Sequence, residues 1–239
     1  MKNIVITGGS SGVGLAIAKD LVQENNIIII GRNQQKAQLV QVRLGANVKV
    51  VIGDLSKASE RMQVVSKIKE IFSHIDVLIH SAGVMPHTAG ENINNNLLSH
   101  YYLTLNLQEA LVNSRVLIVT GNPRAINLMP ICDIQNSVLA RAGWLVTHKT
   151  LLMFLLANQL ENQNTTVNSF FPGDVRSDLM DYTKTLTNTD VPVGKYLAIS
   201  PDVKHLSGIF FDEDGTVVPL NTKKFSFENA EKNLRQYLS

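Results

Sequence analysis

Between the apolar run Ile4-Val5-Ile6 and the helix-forming stretch Leu15-Ala16-Ile17-Ala18 stands Thr7-Gly8-Gly9-Ser10-Ser11-Gly12-Val13-Gly14. That order reads strand, glycine-rich turn, helix. Glycines at such a junction let the main chain approach a pyrophosphate closely. The adjoining helix aims free N–H groups and a partial positive charge at the anion. Elsewhere the same cluster would be a plain surface turn. Between the first strand and first helix of an α/β chain it points to a nucleotide cofactor.

The rest of the chain repeats that alternation. Short β-branched runs at 4–6, 27–30, 48–52, 77–79, 116–119, 167–170 and 209–211 read as strands. Helical stretches lie near 13–24, 34–44, 57–72, 91–112, 137–162 and 224–237. Most of the strand runs are continuously apolar, as strands covered on both faces are. The expected fold is therefore α/β: a three-layer, Rossmann-type, doubly wound parallel sheet of about seven strands. No repeat or composition break divides residues 1–239, so a single domain is expected. A net charge of +2 gives no reason to invoke nucleic acid or a membrane surface. No apolar run reaches the ~18 residues of a membrane helix. Cys132 is the only cysteine, which excludes an intrachain disulfide. The N-terminus lacks a basic-then-apolar leader, and no metal-ligand pattern stands out. A cytoplasmic protein is expected.

In such a sheet, ligands bind beyond the carboxyl ends of the strands, so the residues after each strand matter most. After the second come Gly31-Arg32-Asn33, where dinucleotide folds often carry an acid for the adenosine ribose. A guanidinium there can fork onto a 2′-phosphate, which favours NADP over NAD; a solvated arginine at a helix start is the plainer alternative. After the third strand, Asp54 could accept from an adenine amino group with Leu55 against the ring, or cap the next helix. After the fourth, Ser81-Ala82-Gly83 come next to His80 and are small enough to leave room for a cofactor.

These segments together resemble the short-chain dehydrogenases/reductases. The matching pieces are Thr7-Gly-x-x-x-Gly-x-Gly14, Asp54-Leu55, Ser81-Ala82-Gly83 and Pro172-Gly173, in the right order. Asn96 to Thr104 and Val167 to Asp178 resemble the retinol-dehydrogenase-like branch. The resemblance implies a nicotinamide cofactor and hydride transfer between it and an alcohol or carbonyl. It places Gly8, Ser10, Ser11, Gly12, Val13 and Gly14 around the pyrophosphate. Arg32, Asn33, Asp54 and Leu55 fall around the adenosine, and Ser81, Ala82 and Gly83 by the nicotinamide ribose. Pro172, Gly173 and Val175 border the carboxamide.

The family's chemistry uses a serine, a tyrosine, a lysine four residues after the tyrosine, and an asparagine. Lys149 aligns with the lysine, which also holds the cofactor ribose, and Asn96 aligns with the asparagine. Where the tyrosine belongs stands Leu145, and the serine position holds Gly121 or Asn122. Thr120 lies one residue early. A positioned proton donor is worth roughly 10²–10⁴ in rate. Its loss leaves two readings: an oxidoreductase with a non-standard proton-transfer site, or a non-catalytic cofactor-binding sensor or scaffold. As replacements, Asn122 and Tyr182 rank first. His80, Tyr101, Tyr102 and His148 read as packing residues.

The segment Asp174 to Val193 shapes the substrate site in this family but defines no substrate here. Leu151 to Ala157 is apolar around the whole helix and must be covered on more than one face. A second subunit, in a homodimer or homotetramer, is expected there; the chain's own C-terminal segment is the alternative.

Overall fold

The computed structural model describes residues 1–238. The chain begins with β1 (Asn3–Thr7), α1 (Gly12–Leu21), β2 (Asn26–Gly31), α2 (Gln34–Leu44), β3 (Val48–Ile52), α3 (Ala58–Ile71) and β4 (Val77–His80). It continues through α4 (Ala89–Ile93), α5 (Ser99–Asn106), β5 (Arg115–Val119), α6 (Pro123–Leu128), α7 (Val138–Gln159) and β6 (Thr166–Phe170). It closes with α8 (Asp181–Lys184), α9 (Pro192–Ile199), β7 (Phe210–Phe211) and α10 (Phe227–Leu238).

All seven strands lie in one parallel sheet of order β3-β2-β1-β4-β5-β6-β7. Every strand expected from the sequence is there. The apolar runs are buried because both faces are covered: Ile4, Val5 and Ile6 are 0% exposed. Helices α1, α2 and α9 cover one face, and α3, α5, α7 and α10 the other. Strand order reverses at β1, with β2 on one side and β4 on the other, so a crevice opens between the tips of β1 and β4.

The sequence predicts one helix over 91–112, but the structure breaks it. A π-helical turn at Asn94–Leu98 separates α4 from α5. Asn95 Nδ2 donates to the Glu91 carbonyl and Ser99 Oγ to the Asn95 carbonyl, so side chains compete with the regular ladder. Asn96 sits in the widened turn; such turns recur at functional sites.

Much of the apolar circumference of α7 is covered within the chain. Leu151, Leu152, Met153, Leu155 and Leu156 are buried in the core shared with Ala230 and Leu234 of α10. The outer side of α7 is pinned to α10 by aromatic stacking and polar contacts. Trp144 stacks on His148 with ring centroids 4.0 Å apart. Tyr237 meets both edge-on, receives a hydrogen bond from Trp144 Nε1 (3.3 Å) and donates to Asp133 (2.6 Å). Packing of α10 along α7 thus covers part of that circumference within the chain, while Phe154 and Ala157 stay partly exposed. No helix among the described residues is long and apolar enough to cross a membrane.

Candidate active site

The glycine turn is built around close main-chain approach. A Cβ on Gly14 would come within 2.6 Å of the Gly8 carbonyl oxygen, so α1 lies directly on the turn only because that side chain is missing. Gly12 takes φ +52°, a left-handed conformation open to glycine at no steric cost. Thr7 closes the crevice by accepting hydrogen bonds from the Ser81 and Ala82 amides (3.0 and 2.9 Å). Ser11 is the N-cap of α1, yet its hydroxyl caps nothing. Val13 comes next at the start of α1, and Ser10 Oγ lies beside Gly31.

At the tips of β2 and β3, exposed Arg32 is close enough for its charge to act on Asp54. Burial alone would raise the Asp54 pKa, but hydrogen bonds from Ser56 and the charges of Arg32 and Lys57 bring it below the usual value. Asp54 is not the cap of α3; Lys57 holds that position. Asp54 Oδ1 accepts instead from the amide and hydroxyl of Ser56 (3.0 and 2.7 Å). Asn33 caps α2 through the Lys36 amide (2.9 Å). Leu55 is buried, and its carbonyl accepts from Arg61.

Lys149 is 5% exposed and burial lowers its pKa from 10.5 to about 7. No acid offsets that burial. Two histidines lie close enough to feel its charge. His80, at the tip of β4, stacks on His100 of α5 (4.7 Å) and shares a 2.7 Å hydrogen bond with Thr104. Burial first, and Lys149 second, push His80 down to about 3 and His100 well below the usual histidine range. His100 Nδ1 pairs with Ser99 (2.8 Å), while its Nε2 is buried without a partner. Asn96 holds Val84 through both main-chain groups: Oδ1 accepts from its amide (3.1 Å) and Nδ2 donates to its carbonyl (3.0 Å). The structure thus gathers Asn96, Ser81, Ala82 and Gly83 around the end of β4, and Lys149 lies close enough for its charge to act on His80 there.

The end of the cleft between α7 and β5 differs. Leu145 stands one turn before Lys149 on α7, and the next residue, Val146, fills the space at Gly121. A Cβ on Gly121 would lie 2.5 Å from Val146 Cγ1, so a serine there requires α7 side chains to move. Thr120 Oγ1 is buried with no partner. Asn122 is exposed and caps α6 by accepting from the Arg124 amide (2.9 Å), which leaves its amide nitrogen available. Tyr182 is half-exposed on α8; burial and the charge of Asp174 raise its pKa.

Beyond the tips of β5, β6 and β7 lies a groove of about 660 Å³, walled by Asn122, Leu128, Phe171, Glu213, Val218 and Pro219 among others. Glu213 Oε2 rests against Gly173, where a Cβ would approach it to 2.2 Å. Pro172 and Gly173 form the turn after β6, and Val175 is buried beyond them. Sequence reasoning misses Glu213, although inspecting the residues just past β7, as for the other strand tips, picks it out. The segment after Gly173 folds back over the glycine turn. Ser177 packs against Gly12, and Lys36 pairs with Asp178 (3.4 Å).

These features fit a dinucleotide. The turn is a cradle that any Cβ would fill, an unused serine hydroxyl stands at a helix N-terminus, and a buried ammonium lacks an acid beneath the strand tips. No metal-holding cluster of His, Cys, Asp or Glu exists among the described residues. The fold and cleft define a Rossmann-type dinucleotide-binding class.

Comparison with known proteins narrows the class. The family profile for short chain dehydrogenases matches residues 2–119. A human protein named dehydrogenase/reductase SDR family member 2, mitochondrial, is 31% identical over 183 residues, covering 73% of this chain and 65% of that protein. This chain therefore spans slightly less than two thirds of that relative's length. Mouse retinol dehydrogenase 14 is 27% identical, covering 89% of this chain and 78% of the relative. Among solved structures, a short chain dehydrogenase from Shigella flexneri complexed with NADP superposes with a TM-score of 0.76 at 18% identity. It covers 89% of this chain and 97% of its own. The chain belongs to the short-chain dehydrogenase/reductase family.

Proposed function

We propose that the protein binds NADP(H) across the tips of β1–β6 and transfers hydride between the nicotinamide and a small alcohol or carbonyl, using a proton-transfer site unlike the family's. The observation that carries this reading is Lys149: a buried ammonium with no acidic partner is costly unless it serves a ligand. When bound, the nicotinamide supplies or takes the hydride. Gly8, Ser10, Ser11, Gly12, Val13 and Gly14 hold the diphosphate through main-chain amides and the serine hydroxyls. Arg32 meets the 2′-phosphate, with Asn33, Asp54 and Leu55 along the adenosine. Lys149 holds the ribose, Ser81, Ala82 and Gly83 leave it room, and Pro172, Gly173 and Val175 border the carboxamide. Asn96 fixes the loop after β4. The groove between Asn122 and Glu213 admits the substrate.

Titration with NADPH and NADH by fluorescence or calorimetry tests the cofactor assignment. NADPH is expected to bind at least tenfold tighter than NADH, and Arg32→Ala to erase that preference without weakening NADH. No binding of either at millimolar concentration sinks the proposal. A second reading, a sensor or scaffold that binds cofactor without turnover, is favoured by Leu145 and by the filled space at Gly121. It predicts tight NADPH binding and no NADPH consumption with any carbonyl.

A further inference from the structure

We infer that Arg61 is the positioning residue for the adenosine end of the cleft: it holds the loop after β3 through the Leu55 carbonyl, and Tyr102 of α5 holds Arg61. On the proposed function, on which this rests, Asp54 and Leu55 lie along the adenosine.

The first turn of α3 reaches back to that loop twice. Glu60 Oε2 accepts from the Asp54 amide (2.8 Å), and Arg61 Nη1 donates to the Leu55 carbonyl (2.7 Å). Two neighbouring side chains thus bracket Asp54 and Leu55, one at the N–H that enters the pair and one at the C=O that leaves it. With both ends fixed, the main chain sets where the Leu55 side chain points. The Asp54 carboxylate adds a third tie, to Ser56.

Arginine is a costly strut. Arg61 is 7% exposed, and no ion pair among the described residues includes it. A buried guanidinium without an acid costs more than an apolar side chain of similar length in the same space. What the apolar side chain lacks is the donor to Leu55. An aromatic face steadies the group instead: Cζ lies 5.1 Å from the centre of the Tyr102 ring. The Tyr102 hydroxyl donates in turn to the Leu238 carbonyl at the end of α10 (3.3 Å). Arg61 Nε is buried without a partner, so the Leu55 carbonyl and the Tyr102 ring orient the guanidinium. The strut runs from α10 through Tyr102 and Arg61 to Leu55, and none of its hydrogen bonds reaches the glycine turn or Lys149. It acts on the adenosine half of the cleft.

Arg61→Met keeps the length of the side chain but donates no hydrogen bond, whereas Arg61→Lys keeps a cationic donor. Calorimetry compares NADPH with adenosine 2′,5′-bisphosphate, which carries only the adenosine half. Arg61→Met is expected to weaken both by the same factor, about tenfold or more, the scale of one hydrogen bond to a charged group. Arg61→Lys should bring both back to within about threefold of the parent. Hydrogen exchange on the apo-protein reads the loop with no ligand present. The amides of Leu55, Ser56 and Lys57 should exchange faster in Arg61→Met, and those of Gly8 to Gly14 at parent rates. Should Arg61→Met fail to fold, Tyr102→Leu leaves the donor in place and removes the ring over it; the bisphosphate should then bind about threefold more weakly. A methionine variant that binds the bisphosphate as the parent does overturns the inference. So does a lysine variant no better than the methionine one, or exchange that speeds equally in the loop and the glycine turn. The parent's own binding judges the cofactor reading: a parent that binds neither ligand sinks that reading and this inference with it. A parent that binds both leaves the variants to decide on Arg61 alone.

Discussion

The two ends of the cleft are built from different material. At the β1–β4 end the ligand-facing surface is main chain: Gly8, Gly12 and Gly14 remove side chains, and Thr7 ties the turn to the amides of Ser81 and Ala82. At the α7–β5 end it is side chain, and the side chains there are apolar: Leu145 stands one turn before Lys149 and Val146 fills the space at Gly121. A surface of backbone binds any ligand with the right phosphates and fails if an atom is added. Chemistry that hangs on one hydroxyl is lost by a single substitution, while the fold and the cofactor bed stay as they were. On the proposed function, cofactor recognition and proton transfer are therefore separable, and they can be broken separately.

The broadest effect, on stability and on binding together, is expected from Gly14→Ala. Its new Cβ would press on the Gly8 carbonyl, a backbone atom that cannot swing aside. We expect a loss of ~1–3 kcal/mol in stability, the usual cost of overpacking, and at least a tenfold loss of NADPH affinity by fluorescence titration. Wild-type affinity in this variant would show that the turn is not the cofactor bed.

At the other end, Leu145→Tyr combined with Asn122→Ser introduces two hydroxyls and leaves the fold intact. Carbonyl reduction should rise by ~10²-fold with NADPH affinity unchanged. The contrasting variant, Leu145→Tyr with Gly121→Ser, should gain little until Val146→Ala makes room. Equal gains from both would mean that Val146 does not set the serine position.

The smallest effect is on stability. Lys149 has a folded pKa near 7 and an ordinary value of 10.5. Between those values the unfolded chain binds more protons than the folded one, so stability rises with pH through that window and the full burial cost is felt below it. Lys149→Met should raise the melting temperature by roughly 2–8 °C at pH 6, for a chain of this size. The gain should fade as pH approaches 10. Melting curves at pH 6, 8 and 10 check it; a pH-independent gain would mean that packing, not charge, is responsible.

How much of this the sequence discloses depends on the reach of each signal. Strands and long helices are legible because continuous apolar runs and periodic stretches identify themselves locally. The proposed cofactor bed can be written down from the sequence because its residues cluster within a few positions of each strand tip. The break in the expected 91–112 helix is not, because it depends on Asn95 and Ser99 choosing carbonyls over solvent. Helices α6, α8 and α9 are too short for periodicity to show. Val146 against Gly121, and Glu213 against Gly173, are contacts between distant segments that no local pattern reports. The circumference of Leu151 to Ala157 announces a cover but not its source.

That cover has a consequence for anyone handling the protein. Because α10 lies along α7 and Tyr237 touches Trp144 and His148, a deletion that reached into α10 would strip α7 bare as well as shorten the polypeptide. Trp144, now 1% exposed, would face water and change its fluorescence accordingly. Its emission therefore offers a built-in gauge of whether the helix that carries Lys149 is still clothed.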